Sequence, residues 1–295
     1  MKNFIINTLI FLLVLAGALL VGWHFIQEDV ILYFTQVPIE VDDFEANLEA
    51  AVSIDQTAEG DELDTVTTLG AFDWIQHIGT LDDLEVGPIG ELILPSIDVR
   101  LPVFHGAEEP NISLGAGTHR VDRSWDLPVM GEGNFLLGSH WDPNPGIRFG
   151  GLDRIRVGDM LILRDADYLY LYETIIANYV IENYRSDIGF IDPDYVWLTL
   201  FTCTPDGTQR VMVRGEFVGK FAVLELNEML EADEVEDFEE LVEVVDLDIL
   251  ADVVETLGDT EISFPTIGIA LVASGALIFA TFIVWLANLG SKKKK

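Results

Sequence analysis

The sequence contains a single cysteine, Cys203, at the end of a run of strand-forming residues. A lone cysteine makes no intramolecular disulfide, so its thiol is either small buried packing or a working nucleophile. A nucleophilic cysteine reacts as the thiolate, which a neighbouring histidine or arginine generates or stabilises. The residues that the fold brings to Cys203 therefore decide between the two interpretations.

Five histidines are candidates for the base that such a nucleophile requires. His24 lies in an apolar N-terminal segment and His77 in an acidic stretch, so three remain: His105, His119 and His140. His140 follows an apolar, strand-like run, and strand ends are where a scaffold presents reactive groups. His119 lies in a glycine-rich, turn-like stretch and could equally line a site. For either, an ordinary surface or hydrogen-bonded histidine is the simpler interpretation.

Arg210 lies seven residues after Cys203, a spacing that permits a hairpin with the guanidinium beside the thiol. The guanidinium presents a fixed fork of donors, which suits a substrate carbonyl or a developing oxyanion. Cys203, Arg210 and one of the remaining histidines, with His140 and His119 both open, are thus the candidate catalytic residues.

The segment that carries these residues predicts a β domain. Short apolar, β-branched and aromatic runs, separated by Pro, Gly, Asn and Asp, predict strands at 91–95, 99–103, 134–138, 160–163, 168–172, 179–181, 197–201 and 211–213. Residues 115–120 are predicted as a turn. Eight short strands without strand–helix alternation favour one closed or sandwiched antiparallel domain.

Acidic residues are concentrated outside this β domain. The net charge is −35, yet the section from Arg100 to Lys220 holds 17 acidic and 11 basic residues. The segment from Glu28 to Asp98 holds 18 acidic residues and no lysine or arginine, and that from Glu225 to Glu261 holds 16 and no base. Nucleic-acid binding is disfavoured because no basic stripe could neutralise phosphates. The second acidic segment has apolar residues at roughly helical spacing and predicts a helical arm, and the first predicts a linker with partial helix.

Two apolar segments, residues 4–26 and 265–289, are long enough to cross a bilayer as helices. No small-residue cleavage pattern follows the first, which favours an uncleaved anchor over a signal peptide. Lys2 precedes the first segment and Lys292–Lys295 follow the second. The positive-inside rule then predicts a two-pass protein of the cell membrane, with both termini cytoplasmic and the β domain extracellular.

The residues around the candidate site resemble those of the sortases, cysteine transpeptidases of the cell surface. Thr199–Cys203 is similar to the family's Thr-Leu-x-Thr-Cys motif. The following strand is similar to the one that bears the catalytic arginine, which matches Arg210 rather than Arg214. Residues 133–140 resemble the strand that leads to the catalytic histidine, with Ser139 where family members usually have glycine. Further similar stretches lie in family order at 94–97, 101–103, 114–119 and 152–159.

The resemblance implies a closed eight-stranded β-barrel and a two-step reaction. Cys203 would attack the threonine carbonyl of an LPxTG-like sorting signal to form a thioester, and an amine would then convert the thioester to a new amide. His140 would move protons, and Arg210 would hold the substrate or the oxyanion. We expect three further residues to contact the substrate: Thr202, His119 and Trp141. We expect no cofactor and no metal, because acidic residues are plentiful but none of them stand at the spacing of metal ligands.

The predicted architecture is therefore mainly β, with acidic, partly helical arms and two transmembrane helices flanking the barrel. The predicted segments are a cytoplasmic N-terminus (1–3), a transmembrane helix (4–26), an acidic linker (27–89), the catalytic barrel (90–220), an acidic helical spacer (221–262), a transmembrane helix (265–289) and a basic cytoplasmic tail (290–295).

Anchors at both ends resemble the class C sortases, which assemble pili. Those enzymes often carry a lid with an Asp-Pro-aromatic motif, and Asp73 and Trp74 stand about where such a lid would lie, without the proline. A buried aromatic anchor is the alternative interpretation of these two residues. The expected partners are surface proteins or pilins with an LPxTG-like signal. The amine acceptor would be either a pilin lysine or a peptidoglycan precursor, and the sequence leaves both open.

Two other functions stay open. Residues 264–268, the apolar segment after them and the final lysines have the layout of a degenerate sorting signal, which would make the chain a surface protein anchored by its own C-terminus. A proline that opens a helix explains the same residues without a signal. The second alternative is a hydrolase or a sortase-like protein that binds without catalysis.

Overall fold

The structure is a computed structural model that describes residues 6, 8–17, 43–55, 84, 86–119, 129–182, 192 and 194–223. Its main part is a β-barrel of eight strands: β1 (Gly90–Leu94), β2 (Val99–Phe104), β3 (Ala116–His119), β4 (Asn134–Gly138), β5 (Met160–Arg164), β6 (Tyr168–Glu182), β7 (Trp197–Cys203) and β8 (Gln209–Ala222). Two α-helices accompany it, α1 (Phe44–Asp55) and α2 (Glu109–Leu114).

The strands close in the order β1-β2-β3-β4-β7-β8-β6-β5, and the β1–β5 pairing completes the barrel. The predicted closed, eight-stranded, mainly β fold is confirmed. The prediction of a purely antiparallel domain is wrong, because β2–β3 and β4–β7 are parallel pairs. Parallel neighbours require a crossover. Helix α2 lies in the first crossover, and strands β5 and β6 lie in the second.

Three strands differ most from the predicted ones. One is β8, which the sequence predicted at 211–213 and which runs from Gln209 to Ala222. Residues 116–119, predicted as part of a turn, form β3, and a Cβ on Gly117 would lie 2.5 Å from the Gly106 carbonyl oxygen. The glycine there permits close backbone approach within a strand rather than a turn. The runs predicted at 168–172 and 179–181 are one strand, β6, whose register shifts three times against β8. Such shifts break the period-two pattern, so the sequence shows two short strands where one long strand exists.

Alternation along the strands separates two apolar clusters. The first, which we call the barrel core, fills the interior and includes Leu92, Leu94, Val103, Phe135, Leu137, Leu161, Leu163, Leu198, Leu200 and Val213. The second, which we call the outer cluster, consists of Ala107, Ile112, Leu136, Ile181, Phe201, Cys203 and Met212. Successive strand residues point to opposite faces. The residues of β4 and β7 therefore alternate between the two clusters, and both faces of these strands are buried.

Helix α1 lies in the segment that was predicted as an acidic linker with partial helix. Phe44 and Ala51 are buried, and the Asn47 side-chain amide donates to the Pro88 carbonyl at 2.8 Å. These contacts attach α1 to the chain that leads into β1.

Residues 8–17 are also helical and belong to a different compact unit of the chain. In the part of the chain that the structure describes, no helix has both the length and the apolar character needed to cross a membrane. The predicted membrane segment 265–289 and most of segment 4–26 lie outside the described residues. The two-anchor interpretation stays a prediction.

We expect Leu200→Ala to lower the free energy of unfolding by about 2–5 kcal/mol, because it removes three methylene-sized groups from a fully buried position in the barrel core. Urea unfolding of the full chain, followed by tryptophan fluorescence, measures this loss. Val157→Ala is the control, since Val157 is 67 % exposed and its truncation should change stability by less than about 0.5 kcal/mol. Equal effects of the two substitutions would contradict the assigned β7 register.

Candidate active site

The register of β7 places Cys203 beside Arg210. Cys203 is the last residue of β7 and is the cross-strand partner of Arg210, near the start of the antiparallel strand β8. Directly opposed residues of an antiparallel pair lie on one face, with Cβ atoms about 5 Å apart. Both side chains are buried, Cys203 in the outer cluster and Arg210 with 5 % exposure. The structure thus brings together two of the three predicted catalytic residues.

A tight turn fixes this pairing. The Thr204 amide donates to the Gln209 carbonyl at 2.9 Å, and the Gly207 amide donates to the Thr204 carbonyl at 2.8 Å. Gly207 has a φ of 72°, which glycine adopts without strain. Hydrogen bonds from Thr204 and Thr208 lower the pKa of the exposed Asp206 carboxyl, which therefore stays an acceptor within the turn. The turn holds the two strands in one register.

His140 is placed by the parallel pairing of β4 with β7. The Ser139 amide donates to the Phe201 carbonyl at 3.4 Å, and the Thr202 hydroxyl donates to the Ser139 carbonyl at 2.8 Å. The ladder therefore runs past the end of β4 and brings His140 alongside the end of β7. His140 is fully buried, and its carbonyl accepts from the Phe149 amide at 3.3 Å. The third predicted catalytic residue lies at the same end of the same strands.

Ser139, which stands where sortases usually have glycine, has a structural role here. Its hydroxyl lies 2.6 Å from the Gly115 carbonyl and 3.3 Å from the Ile112 carbonyl. It therefore ties the residue before His140 to the C-terminal end of α2. A glycine could make neither contact.

A carboxylate that the sequence did not single out contacts His140. The His140 Nε2 atom lies 3.3 Å from a carboxylate oxygen of Glu109, in the first turn of α2. The same oxygen accepts from the Ser113 hydroxyl at 3.1 Å, one helical turn later. In the sequence, this carboxylate belongs to a Glu-Glu-Pro run, which indicates the start of a helix but not a contact with His140.

A buried ion pair supports this region. The Arg148 guanidinium donates to the Ser113 carbonyl at 2.6 Å and to the Asp142 carboxylate at 3.3 Å. Burial lowers the pKa of Arg148, and the negative charges of Asp142 and Glu109 oppose that shift. Arg148 has a φ of 48°, a strained conformation for a non-glycine residue. The loop 141–150 is therefore locked to α2 by charge-assisted hydrogen bonds.

The Arg210 guanidinium has an N–H donor that no described residue accepts from. Its Nη1 donates to the Gln209 carbonyl at 3.3 Å, while its buried Nε has no hydrogen-bond partner among the described residues. A buried donor without a partner is costly, and an acceptor that reaches it gains correspondingly. This donor could hold a carbonyl oxygen or an oxyanion close to the Cys203 thiol.

A second arginine on the same face lies further from the thiol. Arg214 pairs with Thr199 across β7 and β8 and donates to the Thr199 hydroxyl at 2.9 Å. That hydroxyl donates to Asn134 at 2.7 Å, and the Arg214 guanidinium lies 4.5 Å from the centre of the Trp197 ring. The structure therefore places Arg210, and not Arg214, opposite Cys203.

His119 is buried below the surface of this region. It is 1 % exposed, and its ring lies edge-to-face with Phe201 at a centroid distance of 4.7 Å. Burial lowers the pKa of His119 to about 3, so the imidazole is neutral at physiological pH. Neither ring nitrogen has a hydrogen-bond partner among the described residues. The expected contact between His119 and substrate stays a prediction.

The remaining predicted site residues have varied surroundings. Trp141 is half-buried and packs against the outer cluster, while Thr202 is buried and uses its hydroxyl within the β4–β7 ladder. Asp73 and Trp74, the candidate lid residues, lie outside the described residues. Within the described ranges, His, Cys, Asp and Glu side chains form no group of three that could hold a metal ion.

We expect His119→Met to reduce the acid sensitivity of the fold. Unfolded His119 binds a proton below about pH 6.5, whereas folded His119 stays neutral down to about pH 3. At pH 7 the imidazole is mostly neutral in both states, so its burial hardly changes the free energy of unfolding through protonation. As pH falls, only the unfolded state binds the proton, and the free energy of unfolding drops by about 2 kcal/mol between pH 7 and pH 5. Urea unfolding of both chains at these two pH values measures the difference. Identical pH dependence would show that the folded state protonates this imidazole.

Comparisons with known proteins identify the barrel segment. A protein-family model described as "Sortase domain" matches residues 92–218, which run from β1 into β8. The chain is 28 % identical to sortase A of Listeria monocytogenes over 217 residues, 71 % of this chain and 90 % of that protein. It is 30 % identical to sortase A of Bacillus anthracis over 142 residues, 48 % of this chain and 63 % of that protein.

A crystal structure of the Listeria monocytogenes sortase A is 30 % identical, with a TM-score of 0.42, and covers 46 % of this chain and 90 % of that one. The residues that the family model matches form the barrel and include Cys203. The barrel segment, residues 92–218, therefore belongs to the sortase family, whose members are cysteine transpeptidases.

Proposed function

We propose that this sortase cleaves an LPxTG-like sorting signal and transfers the acyl part to an amine. The observation that carries the proposal is the cross-strand pairing of Cys203 with Arg210, with His140 at the end of the adjacent strand β4. A nucleophile, a base and a donor for the oxyanion then lie at one end of three neighbouring strands, and this set is what acyl transfer requires.

In the first step, the Cys203 thiolate attacks the carbonyl carbon of the threonine in the signal. The tetrahedral oxyanion accepts hydrogen bonds from Arg210, whose buried Nε lacks a partner among the described residues. As the peptide bond breaks, His140 gives a proton to the leaving amine. The products of this step are a thioester on Cys203 and the released C-terminal segment.

In the second step, an incoming amine attacks the thioester carbonyl. His140 takes the proton that the amine loses, the carbon–sulfur bond breaks, and Cys203 leaves as a thiolate. The thioester keeps the acyl group reactive toward amines. A pilin lysine and a peptidoglycan precursor both present such an amine, and an acceptor panel would identify which one reacts.

The proposed location is the outer face of the cell membrane. The apolar segments 4–26 and 265–289 and the lysines that flank them support a two-pass arrangement with both termini cytoplasmic. The substrate would then be the C-terminal tail of another membrane-anchored surface protein or pilin. An enzyme tethered at both ends would meet that tail at a fixed distance from the bilayer.

We expect Cys203→Ala and His140→Ala each to lower transpeptidation by about 10³-fold or more, because each removes a group that takes part in bond making. Arg210→Lys should lower it by about 10²-fold, since a lysine lacks the guanidinium's fixed fork. Intact-mass spectrometry of the full chain, incubated with an LPxTG-type peptide with and without an amine, measures both the thioester and the product.

The control is Arg156→Ala, which removes an exposed arginine and should stay near wild-type activity. Arg156 precedes β5, whose first residue, Met160, lies in the same row of the sheet as Trp197 at the start of β7, the end opposite Cys203. If the wild-type chain forms neither a thioester nor a transfer product across a panel of signals, the transpeptidase proposal fails. Peptide binding without turnover would then favour the non-catalytic alternative.

We expect a protein that fluoresces only in the cytoplasm to be bright when it is fused after Lys295. The same reporter fused to a chain ending at residue 262 should be dark, because that junction would lie outside the membrane. Whole-cell fluorescence, normalised to the amount of fusion protein, measures the difference. A dark full-length fusion, or equal signals from the two fusions, would contradict the two-pass arrangement.

A further inference from the structure

Glu109 is the carboxylate in contact with His140, and it lies outside the residues expected to act in the proposed reaction. The contact joins a fully buried imidazole to a carboxylate whose side chain is 54 % exposed. We propose that Glu109 is a positioning residue that orients the His140 ring and fixes which of its nitrogens carries the proton. This inference rests on the proposed function, because it assigns Glu109 to the reaction in which His140 moves protons.

The chemistry of the two groups sets the direction of the hydrogen bond. An ionised carboxylate has no proton to donate, so Nε2 of His140 must be the donor in the 3.3 Å contact. A neutral imidazole has one N–H, so Nδ1 then carries the lone pair. Nδ1 is thus the nitrogen that can accept a proton, and Glu109 determines this choice without touching the substrate. The same division of roles, with a third group orienting the base, operates in other nucleophile–histidine enzymes.

Glu109 is itself held by its own helix. The oxygen that faces His140 also lies 3.1 Å from the Ser113 hydroxyl, four residues later on α2. Residues four apart on a helix share a face, so this contact needs no distortion of the backbone. An otherwise mobile surface carboxylate therefore has a defined orientation toward the imidazole.

Helix α2 is fixed relative to His140 on two sides. The Ser139 hydroxyl bonds the Gly115 carbonyl, so the residue before His140 is attached to the end of α2. The buried Arg148 bonds the Ser113 carbonyl from the loop that follows His140. Donor and acceptor of the Glu109–His140 contact therefore sit on elements joined by buried hydrogen bonds, which is what a positioning role requires.

Among the described residues, a buried ion pair lies close to the contact. Arg148 and Asp142 form this pair on the loop 141–150. Glu109 is near enough to Arg148 to oppose the lowering of its pKa. Because half of the Glu109 side chain faces water, the contact is partly screened, and we expect a moderate effect on rate rather than loss of activity.

The test compares Glu109→Ala and Glu109→Gln in the full chain, with an LPxTG-type peptide and an amine as the probe. Glu109→Ala removes the acceptor and should lower kcat about tenfold, with KM changed less than twofold. Glu109→Gln keeps an acceptor oxygen and should retain most of kcat. The control is Glu108→Ala, which removes the adjacent exposed acidic side chain and should leave both constants unchanged.

Histidine-selective ¹⁵N NMR of the same chains supplies a readout that a purely structural role would not change. The His140 signals, assigned by their loss in His140→Ala, should report protonated Nε2 and unprotonated Nδ1 in the wild-type chain, and a mixture of tautomers in Glu109→Ala. Unchanged kcat in Glu109→Ala, or the same tautomer populations in both chains, would overturn the proposal. An inactive wild-type chain would instead contradict the proposed function, and the tautomer comparison would still test Glu109.

Discussion

The register of β7 is the constraint on which the site depends. β7 pairs in parallel with β4 on one side and antiparallel with β8 on the other, so its position along both neighbours is fixed. A slip of one residue would turn every side chain to the opposite face. Cys203 would then point into the barrel core instead of the outer cluster. Leu198 and Leu200, which belong to the barrel core, favour the register that places Cys203 on the other face.

Two different strand pairings of β7 place Arg210 and His140 near Cys203. The pairing of β7 with β8 places Arg210, and it is local because a tight turn joins the two strands. His140 comes from β4 through a parallel pairing across more than sixty positions of chain, with the Thr202–Ser139 hydrogen bond extending the ladder. Because both faces of β4 and β7 are buried, apolar packing supports the parallel pairing that places His140.

Buried polar contacts connect α2 and the loop 141–150 to this framework. Arg148 satisfies a helix carbonyl and the buried Asp142 at once, and it adopts a strained backbone conformation to do so. A buried charge is tolerated only when it is paired and hydrogen-bonded. Removal of either Arg148 or Asp142 would leave the remaining charge buried without its partner, which would destabilise the fold. The Arg148 contacts and the Ser139 hydrogen bond to the Gly115 carbonyl both attach α2 to the residues that flank His140.

The sequence by itself determined the fold class and the identity of the three candidate catalytic residues. Local patterns carry that information: apolar alternation marks most strands, and the Thr-Leu-Phe-Thr-Cys run and the spacing to Arg210 lie within one hairpin. The long-range features were decided only by the tertiary structure. Parallel pairings, the continuity of β6 through its register shifts and the burial of His119 depend on which distant segments pack together. The contact of Glu109 with His140 joins a short helix to a strand end, and no local pattern encodes a meeting of that kind.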